Sequence, residues 1–408
     1  MGGLFTPEVR RRRVFYIPGY DPIHPRRYRE LYRKEGAAQA AISGYQIALA
    51  AKHAGGPFGW HATATIGDDT CEADFEVLVW SDIVGASMGQ SIPATYLQLV
   101  RTAWAYSASG SLFRLMRLRK GPMIAALYPI FALLAELAVA VTLGLLVAWA
   151  AMVLVPDFAL YHLLCLTVAA LVATVILKRF RKADGKFYAY YLMHDYAHTA
   201  QLHGAYPPDL EARLVEFADS IANALQADWD EVLIVGHSSG AHLAVSILAD
   251  LIRAGRVPED GPALGLLTLG QVVPMVSFLP RAQRLRGDLA YLSTRDELAW
   301  VDVTAPGDGC AFALCDPVSV SGVAPEGKRW PLVLSAAFTK TLSPERWREL
   351  RWRFFRLHFQ YLSAFDRPGD YDYFQITAGP LTLQTRYAGR NPSASRIERA
   401  VNRYTDTA

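Results

Sequence analysis

The chain has 408 residues, 41 Lys and Arg against 38 Asp and Glu, and 52% apolar residues. This near-neutral, apolar composition excludes a disordered chain and offers no electrostatic footprint for nucleic acid. The length allows one large domain or two ordinary ones, with ample residues for a full core. Four cysteines, Cys71, Cys165, Cys310 and Cys315, are too few and too scattered for a disulfide framework. No metal-ligand spacing links them, and a reducing compartment is the simplest expectation.

Residues 1–6 lack the apolar core of a secretory signal but fit the loose myristoylation pattern of Gly2 with Thr6. Arg10, Arg11, Arg12 and Arg13 read as a solvated lead-in to a buried strand at 14–17. That strand ends in the turn Pro18-Gly19-Tyr20. Residues 26–52 are expected to form a helix, 60–66 and 75–80 strands around Gly67-Asp68-Asp69, and 96–106 a second helix.

Residues 137–155 and 158–177 are two apolar runs, separated by Pro156 and Asp157. Each is about 19–20 residues long, enough to cross a bilayer core at about 1.5 Å per residue. Arg114, Arg117, Arg119 and Lys120 precede the pair, and Lys178, Arg179, Arg181, Lys182 and Lys186 follow it. The basic flanks and uncharged-by-cation tip predict a transmembrane hairpin with both termini on the cytoplasmic side. Residues 123–136, interrupted by Pro129 and Glu136, either lie along the membrane surface or extend the first span. The expected organisation is therefore a first core segment at 1–121, the hairpin insertion at 122–178, and a second core segment at 179–408.

The strongest chemical signal is Glu231-Val232-Leu233-Ile234-Val235-Gly236-His237-Ser238-Ser239-Gly240-Ala241-His242. An aliphatic run with no polar face reads as a strand buried on both sides, and Leu243, Ile247, Leu248, Leu251 and Ile252 follow at helical spacing. Between strand and helix sits Gly236-x-Ser238-x-Gly240, the sharp turn that lifts a serine hydroxyl above a sheet. An activated serine needs a base, and the base needs an orienting acid. Downstream, His242 lies on the same helix and reads as packing, which leaves His358 as the base. Asp308, in a Pro-Gly-Asp-Gly turn after a strand at 298–303, is favoured as the acid over Asp302 and Asp316. The Ser239 N–H and the Gly19-Tyr20 turn are the candidate oxyanion donors. His194 and His198, one helical turn apart, have a spacing that can hold zinc. The helix lacks the intervening glutamate of a zinc hydrolase, and a structural role is expected. A strand at 264–269, a helix at 346–361 and a fraying tail from Gly389 complete the chain.

Together, the elbow, the Ile17-Pro18-Gly19-Tyr20 turn, Pro306-Gly307-Asp308 and His358-Phe359-Gln360-Tyr361-Leu362 resemble the α/β-hydrolase superfamily, its lipase and esterase branches above all. The resemblance implies an α/β fold with a mostly parallel sheet, here interrupted by a two-helix membrane hairpin. It implies Ser238 as nucleophile, Asp308 as orienting acid and His358 as base, with Gly19, Tyr20 and Ser239 forming the oxyanion hole. Two departures are the hairpin itself and the Pro18-Gly19 pair where the family places His-Gly. The expected activity is hydrolysis of a lipid-like carboxylic ester on the cytoplasmic side, with no cofactor and no metal. Acyl transfer to a lipid or thiol from the same site, or a non-catalytic membrane scaffold, are the alternatives. The expected partners are an apolar ester or lipid and the bilayer; nothing in the residues specifies an oligomer.

Overall fold

A computed structural model describes residues 9–52, 56–154 and 160–408. The Gly2–Thr6 pattern and the Pro156-Asp157 tip lie outside the described residues. Eight strands, β1 (Arg11–Ile17), β2 (Gln46–Ala51), β3 (Gly59–Ile66), β4 (Asp69–Val77), β5 (Glu231–His237), β6 (Ala263–Leu269), β7 (Ala299–Thr304) and β8 (Leu332–Ser335), form one sheet. Their order is β2-β3-β4-β1-β5-β6-β7-β8. From β4 to β8 every pairing is parallel, whereas β3 runs antiparallel to both its neighbours. The chain is thus α/β, with one mostly parallel sheet and two long apolar helices.

Side chains of β5 alternate between two cores, because successive Cβ atoms point to opposite faces of a strand. Val232 and Ile234 join Phe15, Ile17 and Leu266 under the helices Pro208–Leu225 and Gly240–Arg253. Leu233 and Val235 join Val14, Tyr16 and Leu267 under an aromatic layer containing Tyr32, Tyr361 and Phe374. Every residue of β5 is buried, as its unbroken apolar run requires.

Several local expectations are corrected. The helix expected to reach residue 52 stops at Ser43, because Gly44 adopts φ 74° and its N–H donates to the Ala40 carbonyl; the chain then enters β2. The strand expected at 75–80 begins at Asp69 and ends at Val77, since β3 pairs with it from Ile66 opposite Asp69. The arginine run is a solvated lead-in only at Arg10 and Arg11, which are exposed. Arg12 is fully buried, where its guanidinium donates to Glu231 (2.5 Å) and to the carbonyls of Gly379 (2.7 Å) and Leu381 (2.6 Å). The register explains it, because Arg12 lies opposite Glu231 in the centre of the sheet. The single helix expected at 346–361 is broken into Pro344–Leu350, Phe354–His358 and a 3-10 turn at Gln360–Leu362. The tail after Gly389 is pinned: the N–H groups of Ser393, Ile397 and Val401 donate to Val333, Leu314 and Val320, and Asp406 pairs with Arg286.

The two long helices are Lys120–Leu154 and Tyr161–Lys182, with mean hydropathies of 2.5 and 2.1 in their most apolar windows. Only 22% and 11% of those windows are buried, so these are not helices of a closed core. Residues 123–136 are continuous with the first of them, and Pro129 is accommodated within it. Its length, about 52 Å at 1.5 Å per residue, exceeds a bilayer core of about 30 Å. The two pack closely where Gly144 meets Ala169; a Cβ there would lie 2.5 Å from the Ala169 carbonyl oxygen.

Removing one member of the buried Arg12–Glu231 pair leaves the other charge uncompensated. We expect Arg12→Met to lower stability by about 3–5 kcal/mol, and Arg12→Met with Glu231→Met to recover part of that loss, measured by denaturant unfolding in detergent.

Candidate active site

The site is built at the carboxyl end of β5. There Ser238 adopts φ 57°, a left-handed conformation that costs an L-residue about 1–2 kcal/mol. Its backbone is locked by two bonds, its N–H to the Leu269 carbonyl (2.9 Å) and its carbonyl to the Ala241 N–H (3.1 Å). Both glycines of the motif are forced by contact. A Cβ on Gly240 would lie 2.1 Å from the Ile17 carbonyl oxygen, and one on Gly236 would lie 2.7 Å from the Gly240 carbonyl oxygen. The turn after β1 abuts the same serine, because a Cβ on Gly19 would come within 2.9 Å of Ser238 Cβ and 3.4 Å of its Oγ.

Tyr20, next in that turn, is held from three sides. Tyr191 donates its hydroxyl to the Tyr20 carbonyl, the Tyr20 hydroxyl bonds Ser87, and Trp80 Nε1 donates to the Pro18 carbonyl (2.9 Å). Among the described residues, the N–H groups of Gly19, Tyr20 and Ser239 have no intramolecular acceptor. They lie beside the serine and are free to donate to a ligand oxygen.

Asp308 and His358, expected to work together, are bonded: His358 Nδ1 donates to Asp308 Oδ2 over 2.7 Å, and both are buried. Tyr361 reinforces the carboxylate, donating its hydroxyl to the same oxygen (3.1 Å) while accepting from the Ala305 N–H (2.9 Å). The Cys310 N–H donates to Asp308 Oδ1 (2.8 Å). Both oxygens are therefore satisfied, which fixes the carboxylate plane and leaves His358 Nε2 as the free ring nitrogen.

His358 is seated against the strand that carries the serine. His237 donates Nε2–H to the His358 carbonyl (3.0 Å), with the two rings 4.9 Å apart. Burial keeps the His237 imidazole neutral, with its pKa well below the ordinary histidine value. Gly270, after β6, leaves the room for this ring; a Cβ there would lie 3.1 Å from His358 Cε1. Ser238 and His358 are thus brought to adjacent strand ends, but no hydrogen bond joins them among the described residues. Such a bond is often long in unliganded sites and tightens with substrate.

The competing acids are occupied elsewhere. Asp302 lies within β7 and accepts from Thr268 (2.6 Å), and Asp316 caps the helix Pro317–Val320 and pairs with Lys328 (2.6 Å). His242 accepts from the Tyr206 hydroxyl (2.9 Å), and burial lowers its pKa to about 3. His194 and His198 do not converge on a shared point: the first bonds Gln98 (3.0 Å), and the second Gln201 (3.3 Å). Among the described residues, the ligating atoms that do cluster, within 4.8 Å of one another, belong to Asp308, Cys310 and His358. There the carboxylate and imidazole are already committed to each other.

No family model matches the chain, and no curated protein or solved structure is similar to it.

Both ends of the long-helix insertion return to the site. Gly121 packs on Gly309, where a Cβ would sit 3.3 Å from the Gly309 Cα, and Arg119 donates to the Ala313 carbonyl (2.7 Å). After the second long helix, Tyr188 and Tyr191 pack on Phe355 in the short helix that ends at His358, the first tilted and the second edge-on, with ring centroids 4.4 and 5.6 Å apart. The following helix, Ala189–Ala200, brings Asp195 into a cavity beside Ser239. Sequence reading missed Tyr361 and Cys310 as partners of Asp308, although one stands three residues past His358 and the other two past the acid. It also gave Asp195 no role, because nothing local marks it.

Burial with no donor raises Asp195 from the ordinary carboxyl value to about 7, opposed by His358 nearby. A folded-state pKa above the unfolded one means that stability is lost as pH rises from about 4 to about 7. We expect Asp195→Asn to stabilise the protein more at pH 8 than at pH 5, by about 2 kcal/mol, measured as unfolding midpoints of both proteins at each pH.

Proposed function

We propose that this chain is a serine hydrolase of the α/β-hydrolase kind, anchored by a transmembrane hairpin, that cleaves lipid-like carboxylic esters on the cytoplasmic side of a membrane. One observation carries the reading: Ser238 sits at φ 57° between a buried strand and its helix, with a carboxylate-bonded imidazole seated against the preceding residue. Ser238 Oγ attacks the ester carbonyl while His358 Nε2 takes its proton. Asp308 accepts the Nδ1–H and stabilises the imidazolium, and Tyr361 and the Cys310 N–H keep that carboxylate in place. The carbonyl oxygen, now an oxyanion, accepts from the Ser239 N–H and from the Gly19-Tyr20 turn. On collapse the C–O bond breaks and His358 gives its proton to the leaving alcohol. Water then attacks the acyl-enzyme by the same path, releasing the acid and restoring Ser238. No cofactor is needed for any of these steps.

The lipid-like substrate is supported by the position of the site at the foot of the long apolar helices. Trp352 (72% exposed) and Phe354 (48%) flank the segment leading to His358, and such uncovered apolar side chains suit an interface with lipid. The basic clusters on both flanks of the hairpin support a cytoplasmic catalytic domain.

A fluorophosphonate probe should label the wild-type protein and leave Ser238→Ala unlabelled; labelling that persists in Ser238→Ala, or none in either protein, overturns the assignment. Turnover of a p-nitrophenyl ester should fall by about 10³-fold or more in His358→Ala. In Tyr361→Phe it should fall by about tenfold, with labelling retained, since one of several bonds to Asp308 is lost.

A further inference from the structure

The His194-Asp195-Tyr196-Ala197-His198 segment has no part in the mechanism above, yet it forms one wall of a cavity that adjoins the oxyanion turn. The cavity is small, about 20 Å³, room for a group the size of a water or an ammonium, and is lined by Tyr20, Trp80, Tyr206, Asp195, His198 and Ser239 among others. Asp195, partly buried, lines it with no hydrogen bond or ion pair to another side chain or backbone group among the described residues, and His198 Nε2 is buried without a partner. Neither Lys nor Arg lines it. The two imidazoles that do, His198 and His242, are held neutral by burial. The space therefore contains an acid, three aromatic walls and no cation, where a polar group left unpaired is costly.

We infer that this cavity receives a protonated amino group of the substrate, with Asp195 as its counter-charge and Tyr20, Trp80 and Tyr206 as its aromatic surround. A cation restores the ionised carboxylate, and aromatic rings attract cations through their quadrupoles. A neutral alkyl group of the same size would leave the Asp195 carboxylate without a counter-charge. Because Ser239 and Tyr20 belong both to this wall and to the proposed oxyanion hole, the amine stands a few bonds from the scissile carbonyl. The substrate class is then an amino ester with an apolar part, in place of a neutral ester. As a statement about substrate, this rests on the hydrolase reading; as a statement about the cavity, it does not.

The probe is n-propylammonium chloride, compared with n-propanol and with sodium chloride at the same concentration, on the full chain in detergent. At roughly 20 mM we expect n-propylammonium to raise the unfolding temperature by about 2 °C and to slow fluorophosphonate labelling at least about threefold, with n-propanol doing neither. Asp195→Asn should lose both effects. Equal effects of the alcohol and the ammonium on wild type, or an undiminished ammonium effect in Asp195→Asn, overturn the inference. The wild-type comparison decides it even if the variant does not fold. If no serine is labelled at all, the hydrolase reading falls and the unfolding temperatures still decide the cavity; if labelling proceeds but the ammonium stabilises nothing, the cavity inference falls alone.

Discussion

At the end of β5 the chain turns through a left-handed serine in a space that admits no Cβ on either neighbouring glycine. The helix Gly240–Arg253 starts so close to β1 that the Gly240 Cα lies against the Ile17 carbonyl. Strand and helix can approach in this way only if the residue between them reverses direction at once, and φ 57° at Ser238 does so. The strain is held by the central position of β5, whose neighbours β1 and β6 supply the carbonyls and turns that hem it in. The same crowding requires Gly19 after β1 and makes room for His358 beside Gly270 after β6. Three strand ends thus present the proposed nucleophile, its oxyanion donors and its base within one small region.

Two carboxylates in that region have opposite surroundings. Asp308 accepts from an imidazole, a phenol and a backbone N–H, so its charge is matched where it stands. Asp195 has no hydrogen-bond donor among the described residues, and desolvation drives it toward its protonated form. The difference arises from the elements that carry them. Asp308 sits in a turn after β7, where backbone N–H groups are available, whereas Asp195 projects from a helix whose N–H groups are spent internally.

The insertion between β4 and β5 joins the proposed anchor to the proposed chemistry. Its first helix begins against the Asp308 turn, and the residues after its second helix hold both the Tyr20 carbonyl and Phe355. The ends of the insertion therefore pack on the Asp308 turn, the Gly19-Tyr20 turn and the helix that ends at His358.

What the sequence determined by itself was local. The turn at Ser238, the buried strand before it and the helix after it follow from residue spacing within a few positions and are present as read, and the two apolar runs lie in the helices Lys120–Leu154 and Tyr161–Lys182 as far as they are described. The order Ser238, Asp308, His358 also proved sufficient to pick two residues that are bonded, because turns after strands and a late histidine are few in this chain. What only the tertiary structure decided was which distant groups meet in the core. Arg12 looked like part of a solvated run until the register set it against Glu231, 219 residues away. β8 has only four residues, and β2, half of it alanine, reads from its residues as the end of the preceding helix; each is a strand by pairing with its neighbour in the sheet. Tyr361 was visible as a residue but not as a donor to Asp308, and Asp195 was hidden inside a motif that resembled a metal site. Periodicity reports how a segment meets its own neighbours, whereas the partner of a buried charge depends on strand register and helix docking, which no short window of sequence contains.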